Sequence, residues 1–519
     1  MAQTATASPL LHRDIKTDYL SGAAPLRPFY QYPLRDTPFE QVITDKAFPL
    51  ARREALYQAL KDQYQGYALS PALTQNLEKL REEGTYTLTT GHQLGLMGGP
   101  LFTTYKVMST IWLAEHLQEA YPDRHFVPVF WIHTEDHDFE EINHYYTAFG
   151  QKHTYRGTFQ SATGLHILED SIRELIPSHW PDELKACWEP GQTLAQAYRR
   201  FYHALMNQYG LVILDASHPL LKSQFTEVLK GEVEGAHAFH KVNLTSDHLA
   251  DAGYKRQIHP REINLFYLDA EGRNRIDIEG DHFHALERNL RWTRPELLAL
   301  METEPEKFSP NVSLRPLYQE IILPNLAYFG GWGELSYWLQ LKGIFDQFEE
   351  NFPAVLPRLS ATVWTPEMAN QWESLGFPLS DIRRPLHRSY DAYMPNVWED
   401  DTFRTLEQEI YEKLETMRQY IESDISPTLA RSAAALKVKS EKYLSRIHHK
   451  AYKVKRNRFP EAFRKIEETK VHINPDGAVQ ERVWSLASLE SMTPFEFVDF
   501  IYQQKKALSL DHHHLVLPS

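Results

Sequence analysis

TYTLTTGHQLGLMGGPLFTTYKVMSTIWLAEHLQEAYPDRHFVPVFWIHTEDHDFEEINH, residues 85–144, decides the fold class. Thr85–Thr90 alternates threonine with tyrosine and leucine, the pattern of a short strand. Gly91–Pro100 holds four glycines and a proline, a loop whose backbone can approach a ligand closely. Leu101, Tyr105, Met108, Ile111, Trp112 and Leu117 then recur at helical spacing over Leu101–Ala120, with no internal Gly or Pro. Phe126–Ile132 (FVPVFWI) is a continuous apolar run, as in a strand buried on both faces. It runs directly into the titratable loop HTEDHDFEEINH. Strand, glycine loop, helix, strand and polar loop, in that order, predict an α/β core with an open parallel sheet. Both loops would emerge at the carboxyl ends of their strands, where such sheets bind ligands.

A glycine loop leading into a helix N-terminus suits an anion, because free N–H groups and the helix dipole point at it. Gly91, His92, Gln93, Gly95, Gly98 and Gly99 are therefore candidate binding positions, with Lys106 one and a half turns into the helix. The spacing is neither a dinucleotide fingerprint nor a P-loop. The bland alternative is a glycine loop that merely turns the chain beside a solvated acidic loop. In the polar loop, Glu135, Asp136, His137 and Asp138 are candidate catalytic groups, with Asn143 beside them. Clustered carboxylates raise one another's pKa and an imidazolium lowers it. That environment suits a general base, or Mg²⁺ held with nucleotide phosphates. His133 and His137 raise the question of zinc, but among hard carboxylates and without cysteine the loop suits Mg²⁺ or no metal.

Outward from this stretch, residues 1–84 read as a helical section covering one face of the core, with Ala51–Gln65 and Pro71–Glu83 as helices. Insertions fall at about 150–210 and 255–300. Between them Gly210–Ala216 is a buried-type strand with Asp215 at its end, and Phe225–Ala252 reads as one or two surface helices. INLFYLD and RIDIEG (263–269 and 275–280) alternate as a hairpin joined by Ala270–Asn274. Asn311 and Arg315 flank the turn SPNVSLRP; a guanidinium fork there can bind two oxygens of a carboxylate or phosphate. Gly330, Gly331, Gly333 and Glu334 form a second glycine loop before an expected helix Leu335–Phe348, and Arg358 follows a strand-like AVLP. Glu334 also reads simply as a carboxylate satisfying a helix start. Residues 366–402 look like an irregular connector, 403–472 like an antiparallel helical arm, and 473–519 like a closing segment with a terminal strand at His512–Ser519. Leu406, Ile410, Leu414, Met417 and Ile421 follow nearly a heptad seam, and the second arm helix is basic around Lys437–Lys470.

With 519 residues, two or three domains are expected. A net charge of −14 argues against nucleic acid as the main partner. The lone Cys187 forms no internal disulfide and reads as a packed small residue in a reducing compartment. No secretory pattern or run of about eighteen apolar residues is visible, so a cytoplasmic chain without membrane contact is expected.

The sequence resembles the bacillithiol-biosynthesis family BshC. TGHQLGLMGGPLFTTYK (90–106) and PVFWIHTEDHDFEEINH (128–144) are similar to the family's TGQQ-x-GL-x-x-GPL-x-T-x-YK and PVFWI-x-x-EDHDF-E-x-NH. SPNVSLRP (309–316), LPNLAYFGGWGELSYWLQLK (323–342), PRLSAT (357–362) and NPDGAVQERV (474–483) follow in order. His92 stands where the family more often has Gln, His133 where a small residue is usual, and Trp332 where Pro is. The resemblance implies a Rossmann-like core similar to nucleotidyltransferases, with inserted subdomains and a coiled-coil arm that supports a homodimer. It implies a ligase adding L-cysteine to glucosaminyl-malate through an amide, the last step of bacillithiol synthesis, with ATP activating the carboxyl. On that reading His137 and Asp138 deprotonate the attacking ammonium or hold the carboxyl, and Arg315 orients the malate dicarboxylate. A non-enzymatic nucleotide- or thiol-binding dimeric scaffold and a Mg²⁺-dependent phosphohydrolase are the alternatives.

Overall fold

The computed structural model describes residues 13–147, 150–157, 162–270, 272–398, 402–504 and 510–518. The stretch read for a secretory pattern, residue 271 of the expected hairpin and residues 505–509 of the closing segment lie outside them. The chain divides into two units. Residues up to Ser360 with Glu481–His512 form the first, and Ala361–Gln480 with the segment from His513 the second.

The first unit is built on five parallel strands, β1 (Thr85–His92), β2 (His125–Ile132), β3 (Val212–Asp215), β4 (Asn325–Gly330) and β5 (Ala354–Pro357). Their spatial order is β5-β4-β1-β2-β3. The chain starts in the middle, winds outward through β2 and β3, then returns to build β4 and β5 on the other side. The direction reverses between β1 and β4, and that switch point opens a crevice beyond the strand carboxyl ends. The threonines of β1 are fully buried, and three of them bond across to β4: Thr87 and Thr89 Oγ1 to Asn325 Oδ1 at 3.4 and 2.8 Å, and Thr90 Oγ1 to the Phe329 carbonyl at 2.8 Å. A strand covered on both faces thus keeps its hydroxyls without an unmet donor.

Helix α1 (Leu101–Ala120) is the crossover between β1 and β2 and is buried almost all round. Its hydroxyls turn back on the helix, Ser109 to the Tyr105 carbonyl and Thr110 to the Lys106 carbonyl. Helices from Ile15 to Lys79 belong to the same unit. The segment Phe225–Ala252 forms two helices, Thr226–Gly235 and His237–Asp251, whose Val228, Leu229, Val242 and Leu249 are core residues rather than surface ones.

Two expected elements are redrawn. The hairpin closes earlier than its alternation suggested: Leu265–Asp269 pairs with Gly272–Arg275, and Asp277–Glu279 pairs instead with His282–Ala285. Ile276, fully buried between the two, ends the first pairing. The expected helix Leu335–Phe348 is broken. Helix α2 (Arg315–Ile322) leads into β4; after it come α3 (Trp332–Trp338), a 3₁₀ turn at Leu339–Leu341 and a further helix Lys342–Gln347. Leu335, Trp338, Leu339, Leu341, Ile344 and Phe345 are all fully buried, more than one straight helical stripe can face inward.

In the second unit the expected irregular connector is mostly helical. Thr365 caps Pro366–Ser374, with Pro366 at the first helical position, and Leu386–Tyr393 follows. The arm consists of α4 (Thr402–Tyr420) and α5 (Pro427–Arg456). Their antiparallel register is fixed by Glu415–Lys437 at 2.6 Å and Glu407–His448 at 3.0 Å. Leu406, Ile410, Leu436 and Ile447 remain 41–51% exposed. Helix α6 (Pro460–Ile473) packs Phe463, Ile466 and Ile473 with Trp364 and Trp372. Strand His512–Val516 pairs with Ser360–Trp364. No described helix is long and apolar enough to cross a membrane.

Candidate active site

A cavity of about 690 Å³ occupies the switch point. β1 contributes Gly91, His92 and Gln93; β2 and its loop contribute Trp131 to Asp136; the loop after β4 contributes Gly331, Gly333 and Glu334. Asn311 and Arg315, Arg273 from the hairpin, Arg358 after β5 and Arg482 complete it.

Arg315 is its most distinctive group. The first position of α2 carries the guanidinium between the Trp131 and Tyr328 rings, 5.6 and 5.5 Å from their centroids. Nη1 donates to Gln319 Oε1 at 3.2 Å, and the Tyr337 phenol stands beside it. Nη2 is buried with no hydrogen-bond partner in the protein. A buried charged donor left open is costly, and an anionic group would satisfy it.

Lys106, 2% exposed, donates to the Gly91 carbonyl at 2.9 Å and pairs with Glu334 at 2.6 Å. Glu334 Oε2 also accepts from the Gly331 N–H at the start of α3, and Oε1 from Tyr328, both at 2.8 Å. Burial works to raise the Glu334 carboxyl, but the Lys106 charge and these donors hold it down at about 2. A second buried pair lies under the polar loop. Lys222 Nζ contacts Glu135 Oε1 at 2.5 Å and donates to the Phe308 carbonyl at 2.7 Å, and Ser309 donates to Glu135 Oε2 at 2.7 Å. Burial lowers the Lys222 ammonium and Glu135 opposes it. Asp136 accepts from Gln93 Nε2 at 2.6 Å and from the His137 backbone at 2.7 Å, and stays well below the usual carboxylate range despite its burial. Arg273 lies over Phe266 at 3.9 Å and donates to the Pro310 carbonyl at 3.0 Å. Arg358 donates to Glu481 at 2.8 Å and leaves Nε buried without a partner.

The structure separates the residues singled out from sequence. Gly91, His92, Gln93, Lys106, Glu135, Asp136, Asn311, Arg315, Gly331, Gly333, Glu334 and Arg358 come together around the cavity. His137, Asp138, Asn143, Gly95, Gly98, Gly99 and Gly330 do not line it. Asp138 is exposed and caps the short helix Phe139–Ile142. His137 is exposed and contacts Arg273 Nη1 at 3.3 Å. Asn143 Oδ1 faces His144. The glycine loop packs rather than cradles. A Cβ on Gly95 would stand 2.6 Å from Gly99 Cα, and one on Gly98 2.6 Å from the Phe201 ring. The first N–H of α1 is also taken, donating to the Trp484 carbonyl at 2.7 Å. Gly330 packs against Leu335. Asp215 braces its own turn by accepting from Thr134 and the Ser217 N–H. Burial pushes the Cys187 thiol up to about 11, which fits a packed, inert side chain.

His133 is weighed from sequence only as a possible zinc ligand, while Lys222, Arg273, Tyr337 and Arg482 are not identified from sequence as site residues. Nothing local marks those four, since each reaches the cavity or its floor through tertiary packing. Among the described residues, no three His, Cys, Asp or Glu side chains converge to hold a metal ion. The acidic groups facing the cavity are engaged by Lys222, Gln93 and Lys106.

The whole chain matches two family models. Residues 3–359 fit the "Bacillithiol biosynthesis BshC, N-terminal Rossmann-like domain", and residues 361–517 the corresponding "C-terminal coiled-coil domain". The chain belongs to the BshC family. BshC relatives named "Putative cysteine ligase BshC" include one from Flavobacterium johnsoniae, 34% identical over 510 residues and covering 95% of both chains. One from Cytophaga hutchinsonii is 32% identical over 493 residues, covering 94% of this chain and 93% of its own. In BshC terms, the Rossmann-like model ends one residue before Ser360, where the first unit pauses, and the coiled-coil model spans the arm.

Proposed function

We propose that this BshC chain joins L-cysteine to glucosaminyl-malate through an amide bond, the last step of bacillithiol synthesis. The observation that carries the reading is the open, buried Nη2 of Arg315 at the switch point, a receptor for a substrate carboxylate. Arg273, Arg358 and Arg482 on the same walls supply further positive charge for an anionic substrate. The names of the relatives support ligase chemistry. Amide formation from a free carboxylate requires an activated carboxyl, and ATP as co-substrate is the activator proposed, bringing its own Mg²⁺. The chain's residues bind and orient: Arg315 holds the dicarboxylate, and the Lys106–Glu334 pair fixes the β1 and β4 loops against each other.

Purified protein incubated with cysteine and glucosaminyl-malate, with and without Mg-ATP, is expected to yield the thiol amide by mass spectrometry only when ATP is present. Both substrates bound but no product would remove the ligase reading in favour of a binding scaffold.

The arm supports a homodimer in the cytoplasm. Its apolar side chains at Leu406, Ile410, Leu436 and Ile447 stay substantially exposed in one chain, which a second arm would cover. Light scattering is expected to report twice the chain mass. A monomer at micromolar concentration would exclude the arm as a stable dimer contact.

A further inference from the structure

We propose that His133 accepts the proton of the reacting amine, and that an anionic ligand on Arg315 is what makes it a competent base. This rests on the ligase reading above. His133 leaves the end of β2 with its N–H donating to the His92 carbonyl at 3.1 Å, which extends the β1–β2 pairing and anchors the side chain. The ring lines the cavity, and its Nε2 is buried with no hydrogen-bond partner in the protein. It stands directly over Gly91: a Cβ there would lie 2.8 Å from Nε2. With the ring proton on Nδ1, Nε2 carries a lone pair. An unmet buried nitrogen is costly in the empty protein and is satisfied by a donor arriving with a ligand.

The carboxylates that compete for this role are already committed. Glu135 is held by Lys222 and Ser309, Asp136 by Gln93 and the His137 backbone, and Glu334 by Lys106, Gly331 and Tyr328. His137 is exposed and does not line the cavity. The charges facing His133 are Arg315 and Lys106, which oppose an imidazolium, and Asp136 and Glu334, which favour it. Burial acts first and Arg315 next, holding the ring neutral with a pKa of about 3. A substrate carboxylate seated on Arg315 offsets that cation. The imidazolium then becomes tolerable at the moment the amine is in place. The transfer is simple: one N–H proton of the ammonium passes to Nε2, the nitrogen keeps the electron pair for attack, and the imidazolium later releases the proton to water.

The test uses the full chain and the conservative variant His133→Gln, which keeps a polar side chain but does not titrate. Amide formation measured from pH 6 to 9 is expected to fall about 100-fold in kcat, with KM for glucosaminyl-malate changed less than about threefold. In parallel, ¹³C-histidine NMR with L-malate as the probe should show His133 titrating at least about one pH unit higher with malate bound, and no such rise in Arg315→Met. An unchanged His133 titration under saturating malate overturns the coupling. Amide formed by the wild-type chain at an undiminished rate in His133→Gln overturns this role alone. No amide from the wild-type chain, with substrates bound, overturns the ligase reading and this role with it.

Discussion

Arg315→Met is expected to lower the affinity for glucosaminyl-malate by about 10²–10³-fold, the cost of removing one partner from a buried charge-assisted contact. The reasoning is geometric. The guanidinium is held between Trp131 and Tyr328, its Nη1 is tied to Gln319, and its Nη2 is left open inside the cavity. Two rings, the Gln319 bond and the neighbouring Tyr337 phenol fix the plane of the fork, so little entropy is lost when a carboxylate docks. Arg315→Lys keeps the charge but not the fork or the stacking, and is expected to lose at least about tenfold. Stability should move the other way. The unmet buried Nη2 donor is a burden on the empty fold, so the methionine variant should be as stable as the parent or more so. Titration calorimetry with glucosaminyl-malate, together with urea unfolding, reads both quantities. Unchanged affinity would sink the assignment of Arg315 as the carboxylate receptor, and a parallel loss of stability would reassign it to holding the fold.

Glu334→Ala is expected to destabilise the first unit by about 3–5 kcal/mol, because it strands the 2% exposed Lys106 ammonium without its counter-charge. It also takes the acceptor from the Gly331 N–H and the Tyr328 hydroxyl. The Gly91 carbonyl stays as a partner but carries no full charge. Glu334→Gln retains an acceptor oxygen and should cost less, and Lys106→Met combined with Glu334→Gln less than either single charge removal predicts. The pH dependence has a definite sign. The folded carboxyl sits at about 2, below its ordinary value of 4.5, so its contribution is fully present above about pH 4.5 and is lost as the pH falls toward 2. That shift corresponds to about 3 kcal/mol. The gap between the parent and Glu334→Gln in urea midpoint should therefore begin to narrow just below pH 5. A gap that is constant from pH 7 to 4, or a Glu334→Ala cost under about 1 kcal/mol, would show that the pair does not hold these loops.

Some of this molecule is written in short windows of sequence. β1, α1 and β2 are set by local periodicity. Phe126–Ile132 is apolar at every position because the strand is covered on both faces, and α1 has no Gly or Pro to stop it for twenty residues. Their order also predicts ligand-binding loops at the carboxyl ends, which is where Gly91–Gln93 and Glu135–Asp136 meet Gly331–Glu334. The glycine loop shows how the same signal admits two outcomes. Gly95, Gly98 and Gly99 give the chain freedom of backbone, but Phe201 and Tyr202 from a helix about a hundred residues later fill the space a ligand would need.

What the sequence by itself determined is the class: a parallel α/β core, a helical arm, and two loops rich in glycine and titratable groups. These follow from backbone propensity and burial patterns that act over a few residues. Only the tertiary structure decided which titratable groups share a cavity. His133 and His137 are four residues apart on one loop, yet the β1–β2 pairing holds the first over Gly91 while the turn at Asp136 carries the second to the surface. Arg273 arrives on a hairpin and Lys222 on the helix after β3, so neither is marked near the site in the chain. Side-chain charge is set by such neighbours through desolvation and Coulomb interaction over a few ångströms of space. Separation along the chain carries no information about that distance.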